Sequence, residues 1–253
     1  MYYAEVAFAR TRLLWFSSVC LAVAAVFTYF VTFPPPGARI HNLGQAVWFN
    51  PVLIGASVAA CIMASLLAGT LNRDQPHLAY VWTRPAPRVR IALGYMLVDI
   101  VTILLSYAVV VAIFTMVLAV PPRNSLTFDS ETGGIFVRSI GVPLMVYAII
   151  EVATSWSPRR FGSVAGVFWP TAWFALILSE IVPFPFGELL RILNLLNPIA
   201  YIADSHGQGI NATSGFEQPH TIALTFAVKT ILAYGIFAVA CVVAIYNWKR
   251  MEA

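Results

Sequence analysis

The sequence predicts an all-α, polytopic membrane protein with six transmembrane helices, an N-terminal amphipathic interfacial helix and a re-entrant outer helical segment between spans five and six. Three observations carry that expectation. Hydrophobic residues make up 60% of the 253 and charged residues only 10%, against roughly a quarter charged in an ordinary soluble domain. The apolar residues gather into runs long enough to cross a bilayer. The charges stand at the ends of those runs, in short loops. No stretch outside the runs is long enough to fold separately, so residues 1–253 are expected to form a single transmembrane domain.

The first span is predicted at Leu13 to Phe33, about 31 Å of helix at ~1.5 Å per residue. That exceeds the ~7–15 residues of a signal peptide's apolar region, and Pro34-Pro35-Pro36 follows with no convincing small-residue cleavage site. Met1 to Thr11, with Tyr2, Tyr3, Val6, Phe8 and Arg10, mixes apolar and polar residues as a helix lying in the interface would. Its alternative is the frayed beginning of the first span. The remaining spans are predicted at Val47 to Leu71, Ile91 to Val120, Ile140 to Trp156, Ser163 to Val182 and Leu224 to Tyr246. The third is long enough that it must tilt or project from the bilayer. Arg138 is expected to snorkel at the edge of the fourth, and Ser157-Pro158-Arg159-Arg160-Phe161-Gly162 supplies the turn before the fifth.

Between the fifth and sixth spans, Phe186 to Leu196 is apolar apart from Glu188, Arg191 and Asn194, and too short to cross. A helix that dips into the outer leaflet and returns fits it if its backbone is buried in protein; plain packing at the interface is the alternative. Asn211-Ala212-Thr213 matches a glycosylation sequon, a weak three-residue signal.

Orientation follows from the basic residues. Arg10, Arg12, Arg73, Arg84, Arg88, Arg90, Arg159, Arg160, Lys249 and Arg250 share the side of the N-terminus, ten against the five of Arg39, Arg123, Arg138, Arg191 and Lys229. The positive-inside rule then makes both termini cytoplasmic. Trp82, Trp156, Trp169 and Trp248 suit interfacial anchoring or packing. The net charge of +4 does not indicate nucleic-acid binding, because no basic stripe is interleaved with aromatics.

Catalytic signatures are scarce. There is no glycine-rich phosphate loop ending in Gly-Lys-Ser or Gly-Lys-Thr, no His-Glu-x-x-His and no Cys-x-x-Cys. Cys20, Cys61 and Cys241 sit inside apolar runs, which argues against disulfides or a zinc cluster. His41, His77, His206 and His220 are scattered among the loops, so no metal site is expected. An enzyme using Asp99, His206 or Glu151 as acid or base would need groups from different levels of the bilayer to meet.

The intramembrane carboxylates are more informative, since a charge in hydrocarbon must face a partner, a wet cavity or the bundle interior. Asp99 falls in the first half of the third span, Glu151 near the cytoplasmic end of the fourth and Glu180 near the outer end of the fifth. Glu151 can pair with Arg159 or Arg160, and Glu180 can reach the outer interface. Asp99 lies about two turns inside Arg90, which can reach only part of that distance, and is the hardest of the three to explain by structure alone. A proton relay would place several carboxylates at one depth, and these three are expected at different depths.

The loop from Asn72 to Arg90 carries Arg73, Arg84, Arg88 and Arg90 with Asp74, His77, Tyr80 and Trp82. Leu78 to Trp82 can form a helical turn that Pro85 and Pro87 end. Apolar residues flanked by arginines suit a knob entering a groove on a soluble partner; enforcing topology and binding lipid headgroups is the plainer role.

In the order of these features the chain resembles the type-2 ATP-binding-cassette permeases, six-span membrane subunits of export systems. The resemblance covers essentially the whole chain. Tyr2 to Arg12 matches that family's interfacial helix, and Asp74 to Trp82 its coupling helix. Thr83-Arg84-Pro85 through Arg88 and Arg90 into Ile91-Ala92-Leu93-Gly94-Tyr95 matches the start of its third span. Phe186 to Tyr201 matches its re-entrant segment, and Asn247-Trp248-Lys249-Arg250 its basic tail.

The resemblance implies a non-catalytic permease in a prokaryotic plasma (inner) membrane, working as a dimer with a second permease copy or a homologous one. Cytoplasmic ATPase subunits would carry the ATP and Mg, so this chain would bind no cofactor itself. Asp74, His77, Leu78, Tyr80, Trp82, Arg84, Arg88 and Arg90 would couple to the ATPase. Phe49, Asn50 and Ser57 of the second span and Phe174, Leu178 and Glu180 of the fifth would line the pathway, with Asp99 and Glu151 as pathway or structural groups. Mostly apolar walls suit a lipid-like, amphipathic or drug-like cargo. An ion- or proton-coupled secondary transporter and a non-transporting scaffold are the competing expectations.

Overall fold

The computed structural model describes residues 3–32, 47–69, 88–119, 126–128, 132–156, 161–183, 185–203 and 225–250. They form helices α1 (Tyr3–Thr32), α2 (Asn50–Leu67), α3 (Arg88–Ala119), α4 (Thr132–Trp156), α5 (Phe161–Ile181), α6 (Phe186–Leu193), α7 (Pro198–Ala203) and α8 (Phe226–Arg250). Asn194–Leu196 form a 3-10 turn between α6 and α7. The only pairing of extended chain among the described residues is a two-residue parallel contact of β1 (Val47–Trp48) with β2 (Leu126–Thr127).

Among the described residues four helices, not six, are long and apolar enough to cross a membrane: Val6–Val26 in α1, Val89–Val117 in α3, Thr132–Trp156 in α4 and Ala227–Lys249 in α8. The predicted second and fifth spans contain only shorter apolar helices, Val52–Leu67 and Gly166–Ser179. The second is trimmed at both ends. Residues 47–48 are extended in β1, Pro51 opens α2 at its first turn, where a missing N–H does no harm, and Gly69 closes it with φ of 72°. The helix that remains is 18 residues long, where the apolar run had suggested Val47 to Leu71. In α5 the apolar stretch is bounded by Gly162-Ser163 before it and Glu180 after it.

The N-terminal expectation is also corrected. Tyr3 to Thr32 is one unbroken helix with no apolar face segregated from a polar one, so no separate amphipathic element precedes the first span. Nothing from Tyr2 to Phe33 is proline or glycine, and helix propagation across such a stretch meets no obstacle. Its spanning part begins at Val6, earlier than Leu13, and α4 likewise begins at Thr132, ahead of the expected Ile140.

The helices alternate in direction. The starts of α1, α3 and α5 and the ends of α2, α4 and α8 share one end of the bundle, called here the near end; β1, β2, α6 and α7 lie at the far end. α4 is the centre, packed against α8 and α2, with α2 also against α3 and α1 against the outside of α3. The spanning window of α4 is 72% buried and that of α1 is 6%, which makes α4 the axis and α1 a peripheral helix. The core joins Leu53, Ala60, Met63 and Leu67 of α2 to Ile103 and Tyr107 of α3 and to Met145, Tyr147 and Ile150 of α4.

The close approach of α8 to α4 is set by Gly141. A side chain there would come within 3.0 Å of the Tyr234 ring, whose hydroxyl donates to the Val137 carbonyl at 2.7 Å. Outward-facing Leu14, Trp15, Leu97, Val101, Ile231 and Val242 are exposed, an apolar shell of the kind that hydrocarbon solvates.

The outer segment expected as one element from Phe186 to Tyr201 is two short helices broken by the 3-10 turn. It folds back along α5: Asn197 donates to the Ala172 carbonyl at 2.8 Å and Asn194 to that of Ala175 at 3.4 Å. The two asparagines thereby occupy buried polar positions with partners. Arg138 does not snorkel. It is 3% exposed and donates to the Tyr201 carbonyl at 2.6 Å, with its guanidinium 5.6 Å from the Tyr201 ring. Trp248 is buried, so it packs inside the bundle, while Trp156 is exposed.

Candidate functional site

α4 carries polar residues at four-residue intervals, Ser139, Tyr147, Glu151 and Ser155, with Pro143 filling the remaining place in the row. Residues four apart share one helix face, and all five are buried. Each polar member meets a different part of the bundle. The Tyr107 hydroxyl of α3 and the Ser139 hydroxyl lie 2.5 Å apart. Tyr147 donates to Asp99 Oδ2 of α3 at 2.9 Å. Glu151 accepts the Gly69 N–H beyond the end of α2, and Ser155 accepts from Asn247 Nδ2 of α8 at 2.9 Å. Thr132, at the first turn of α4, donates to Asn50 Oδ1 of α2 at 2.9 Å.

Asp99 and Glu151 are 1% exposed. Glu151 sits one turn from Tyr147, the donor to Asp99, on the same face of α4. The result is a compact polar patch inside an apolar bundle, where each contact is stronger than it would be in water. Replacing Tyr147 with phenylalanine is expected to destabilise the fold by about 1–2 kcal/mol, because Asp99 loses a buried donor. Thermal unfolding in detergent measures this, and combining it with Asp99→Asn isolates the pair energy.

Gly69 has two tasks. Its positive φ turns the chain out of α2, and its N–H fixes the chain just past α2, ahead of the arginine-rich loop, to Glu151. Arg12 of α1 adds a second tie by donating to the Leu66 carbonyl, one of the acceptors that the last helical turn leaves without an intrahelical donor. Glu151 thus engages backbone at the end of α2; its expected pairing with Arg159 or Arg160 falls on arginines outside the described residues.

The other candidates divide clearly. Phe49 packs its ring 5.1 Å from that of Phe128 at the far end, beside Asn50. Ser57 is 2% exposed in the interior of the bundle, so it lines no open surface. Phe174 is exposed on the outside of α5 and Leu178 half-buried. Glu180 lies in the last turn of α5, its side chain outside the described residues. Asp74, His77, Leu78, Tyr80, Trp82 and Arg84 are outside the described residues, as is the side chain of Arg88, which begins α3; Arg90 is exposed in the first turn of that helix. The structure thus joins Asp99 to Tyr147, one turn from Glu151 on α4, and Phe49 and Asn50 with Phe128 and the start of α4. It does not bring Phe174 or Ser57 to either group.

Tyr147, Tyr107, Ser139 and Thr132 were not singled out from the sequence. The four-residue spacing of Ser139, Tyr147, Glu151 and Ser155 was the available signal, in a run otherwise rich in Val, Ile and Leu. Among the described residues no three His, Cys, Asp or Glu side chains converge on a metal position.

No protein-family model, curated protein or solved structure matches this chain. The protein is a multi-span, helical membrane protein. That much follows from the length and apolarity of its four long helices, and it suits a membrane-embedded role such as transport.

Proposed function

We propose that this chain is the membrane-spanning permease subunit of an ATP-driven exporter of the ATP-binding-cassette type, coupled to separate ATPase subunits on the cytoplasmic side. One observation carries the reading: the arginine-rich loop that the sequence marks for docking starts from a residue anchored in the bundle core. Gly69 is held by Glu151, and Leu66, one turn earlier, by Arg12. The chain is therefore fixed to α4 and α1 at the point where α2 ends. The chain carries no phosphate-binding loop ending in Gly-Lys-Ser or Gly-Lys-Thr, so the proposed motor, with its ATP and Mg, belongs to a partner. A second permease copy, or a homologous one, completes the passage in a prokaryotic inner membrane with both termini cytoplasmic. The apolar and aromatic character of the helices favours a lipid-like, amphipathic or drug-like cargo.

Purification of the tagged full chain from its native membrane in mild detergent tests the docking. An ATPase subunit is expected to co-purify, and Arg84→Glu with Arg88→Glu is expected to reduce its recovery about tenfold, since charges of the wrong sign in an interface repel the partner. Undiminished recovery with both substitutions, or no ATPase in the wild-type preparation, removes the proposed coupling role.

A second reading, ion- or proton-coupled transport, is favoured by one feature. Asp99 accepts from Tyr147 and Glu151 lies one turn from that tyrosine on α4, both buried, and buried intramembrane carboxylates are the raw material of such mechanisms. Export from sealed vesicles separates the two. Cargo movement with ATP present and the ion gradient collapsed supports the ATP-driven reading; movement that needs the gradient and ignores ATP supports the other.

A further inference from the structure

α2 and α4 are fastened to each other at both ends, and we propose that they act as one rigid rod that transmits displacement between the near end and the far end of the bundle. The inference goes beyond the transport reading and needs neither an ATPase nor a cargo. At the near end the fastening is the Gly69 N–H on Glu151. At the far end it is threefold. β1 pairs in parallel with β2, Val47 opposite Leu126 and Trp48 opposite Thr127. The Phe49 and Phe128 rings pack at 5.1 Å, and Thr132 donates to Asn50 at 2.9 Å.

Parallel strands cannot be joined by a tight turn and require a crossover. Here α2 and α3 are that crossover, so the strand pair closes a loop of chain that runs the whole length of the bundle and returns. The two fastenings are separated by the 18 residues of α2, about 27 Å of helix.

The interval between them is closely packed. Leu53, Ala56, Ala60, Cys61, Met63, Ala64 and Leu67 have no exposed surface. Small residues at four-residue spacing, Ala56, Ala60 and Ala64, let a helix backbone approach its neighbours closely. Pro143 removes one internal hydrogen bond from α4 between the fastenings; α2 has no proline inside it beyond its first turn and supplies the continuity. A packed pair of this kind is bistable rather than continuously deformable, so a shift at one end appears at the other.

Among the described residues α5 has no comparable arrangement. It is tied to α2 by Trp169 Nε1 donating to Ser65 Oγ at 3.0 Å and to the α6–α7 segment through Asn194 and Asn197, and its outward face is exposed. α5 therefore stands outside the α2–α4 rod, whereas α7 is joined to it by Arg138 donating to the Tyr201 carbonyl.

Hydrogen exchange on the full chain in detergent or nanodiscs tests the coupling from both directions. Glu151→Ala releases the near end, and the amides of Trp48 to Leu53 other than Pro51, and of Leu126 to Phe128, are then expected to exchange about fivefold faster or more. Glu151→Gln, which keeps an acceptor for Gly69, is expected to leave them within about twofold of wild type. Thr132→Val releases part of the far end while preserving shape, and exchange at Ala68 and Gly69 is expected to rise by a comparable factor, because coupling between two sites is reciprocal. The milder Thr132→Val also decides the matter if Glu151→Ala unfolds the protein globally. Changes confined to the substituted end, with the remote amides within about twofold of wild type, overturn the rod. Since the readout involves no transport, a negative result leaves the proposed function standing, and loss of the ATPase partner leaves the rod standing.

Discussion

Glu151→Ala is expected to destabilise the protein by about 3 kcal/mol, the larger of the two effects with the greatest consequences. Two losses combine. A charge-assisted hydrogen bond disappears, worth about 1.5–3 kcal/mol, and the buried Gly69 N–H is left without the acceptor that now satisfies it. Relaxation toward water at the near end reduces the sum, which keeps the estimate at the lower part of the combined range. Glu151→Gln should cost under about 1 kcal/mol, because the amide oxygen can accept the same bond. Thermal unfolding of the three proteins side by side in one detergent reads the difference. If alanine and glutamine are equally damaging, the charge matters more than the bond to Gly69. If neither is damaging, the near-end fastening contributes nothing to stability.

Gly187→Ala is expected to be the other severe substitution, with a loss of about 2–3 kcal/mol. A Cβ at this position would stand 2.4 Å from the Val182 carbonyl oxygen and 3.9 Å from that of Ser179. The obstruction is backbone, so no side-chain rotation relieves it, and α6 must move off the end of α5. Overpacking that shifts backbone costs about 1–3 kcal/mol, occasionally more. The displacement would also disturb the bonds from Asn194 and Asn197 to α5. Unfolding temperature and protease sensitivity within residues 186–203 report the change. Gly55→Ala provides the control, since no atom lies within 4 Å of its added Cβ. A Gly187→Ala protein as stable as that control would mean that α6 is not seated on the end of α5 as observed.

Much of the fold was readable from particular residues. Pro51 and Gly69 bracket α2, Pro121-Pro122 follow α3, and the basic pair Arg159-Arg160 separates α4 from α5. The apolar runs identified α1, α3, α4 and α8 as membrane helices. Apolar composition over-counted the spans, however, because it could not show that residues 47–48 would be taken by a strand pair with residues 126–127. That pairing joins segments far apart in sequence, and no local pattern encodes it.

The candidate site was legible only in part. Asp99 and Glu151 stood out because carboxylates are rare in such runs. Their partners did not, because Tyr147 and Tyr107 read as ordinary core aromatics and Gly69 as a helix terminator. Arg138 was misread for the same reason. A basic residue near a span end usually reaches water, and the carbonyl that receives it belongs to Tyr201, 63 positions away.

What the sequence determined by itself is the material: helices apolar enough to live in hydrocarbon. What only the tertiary structure decided is which face of each helix turns inward. The long helices are apolar around most of their circumference, with little segregation of polar from apolar faces, so periodicity offers no inside and outside to read. Contact with neighbouring helices made that choice, and it turned scattered Ser139, Tyr147, Glu151 and Ser155 into a single row of fastenings.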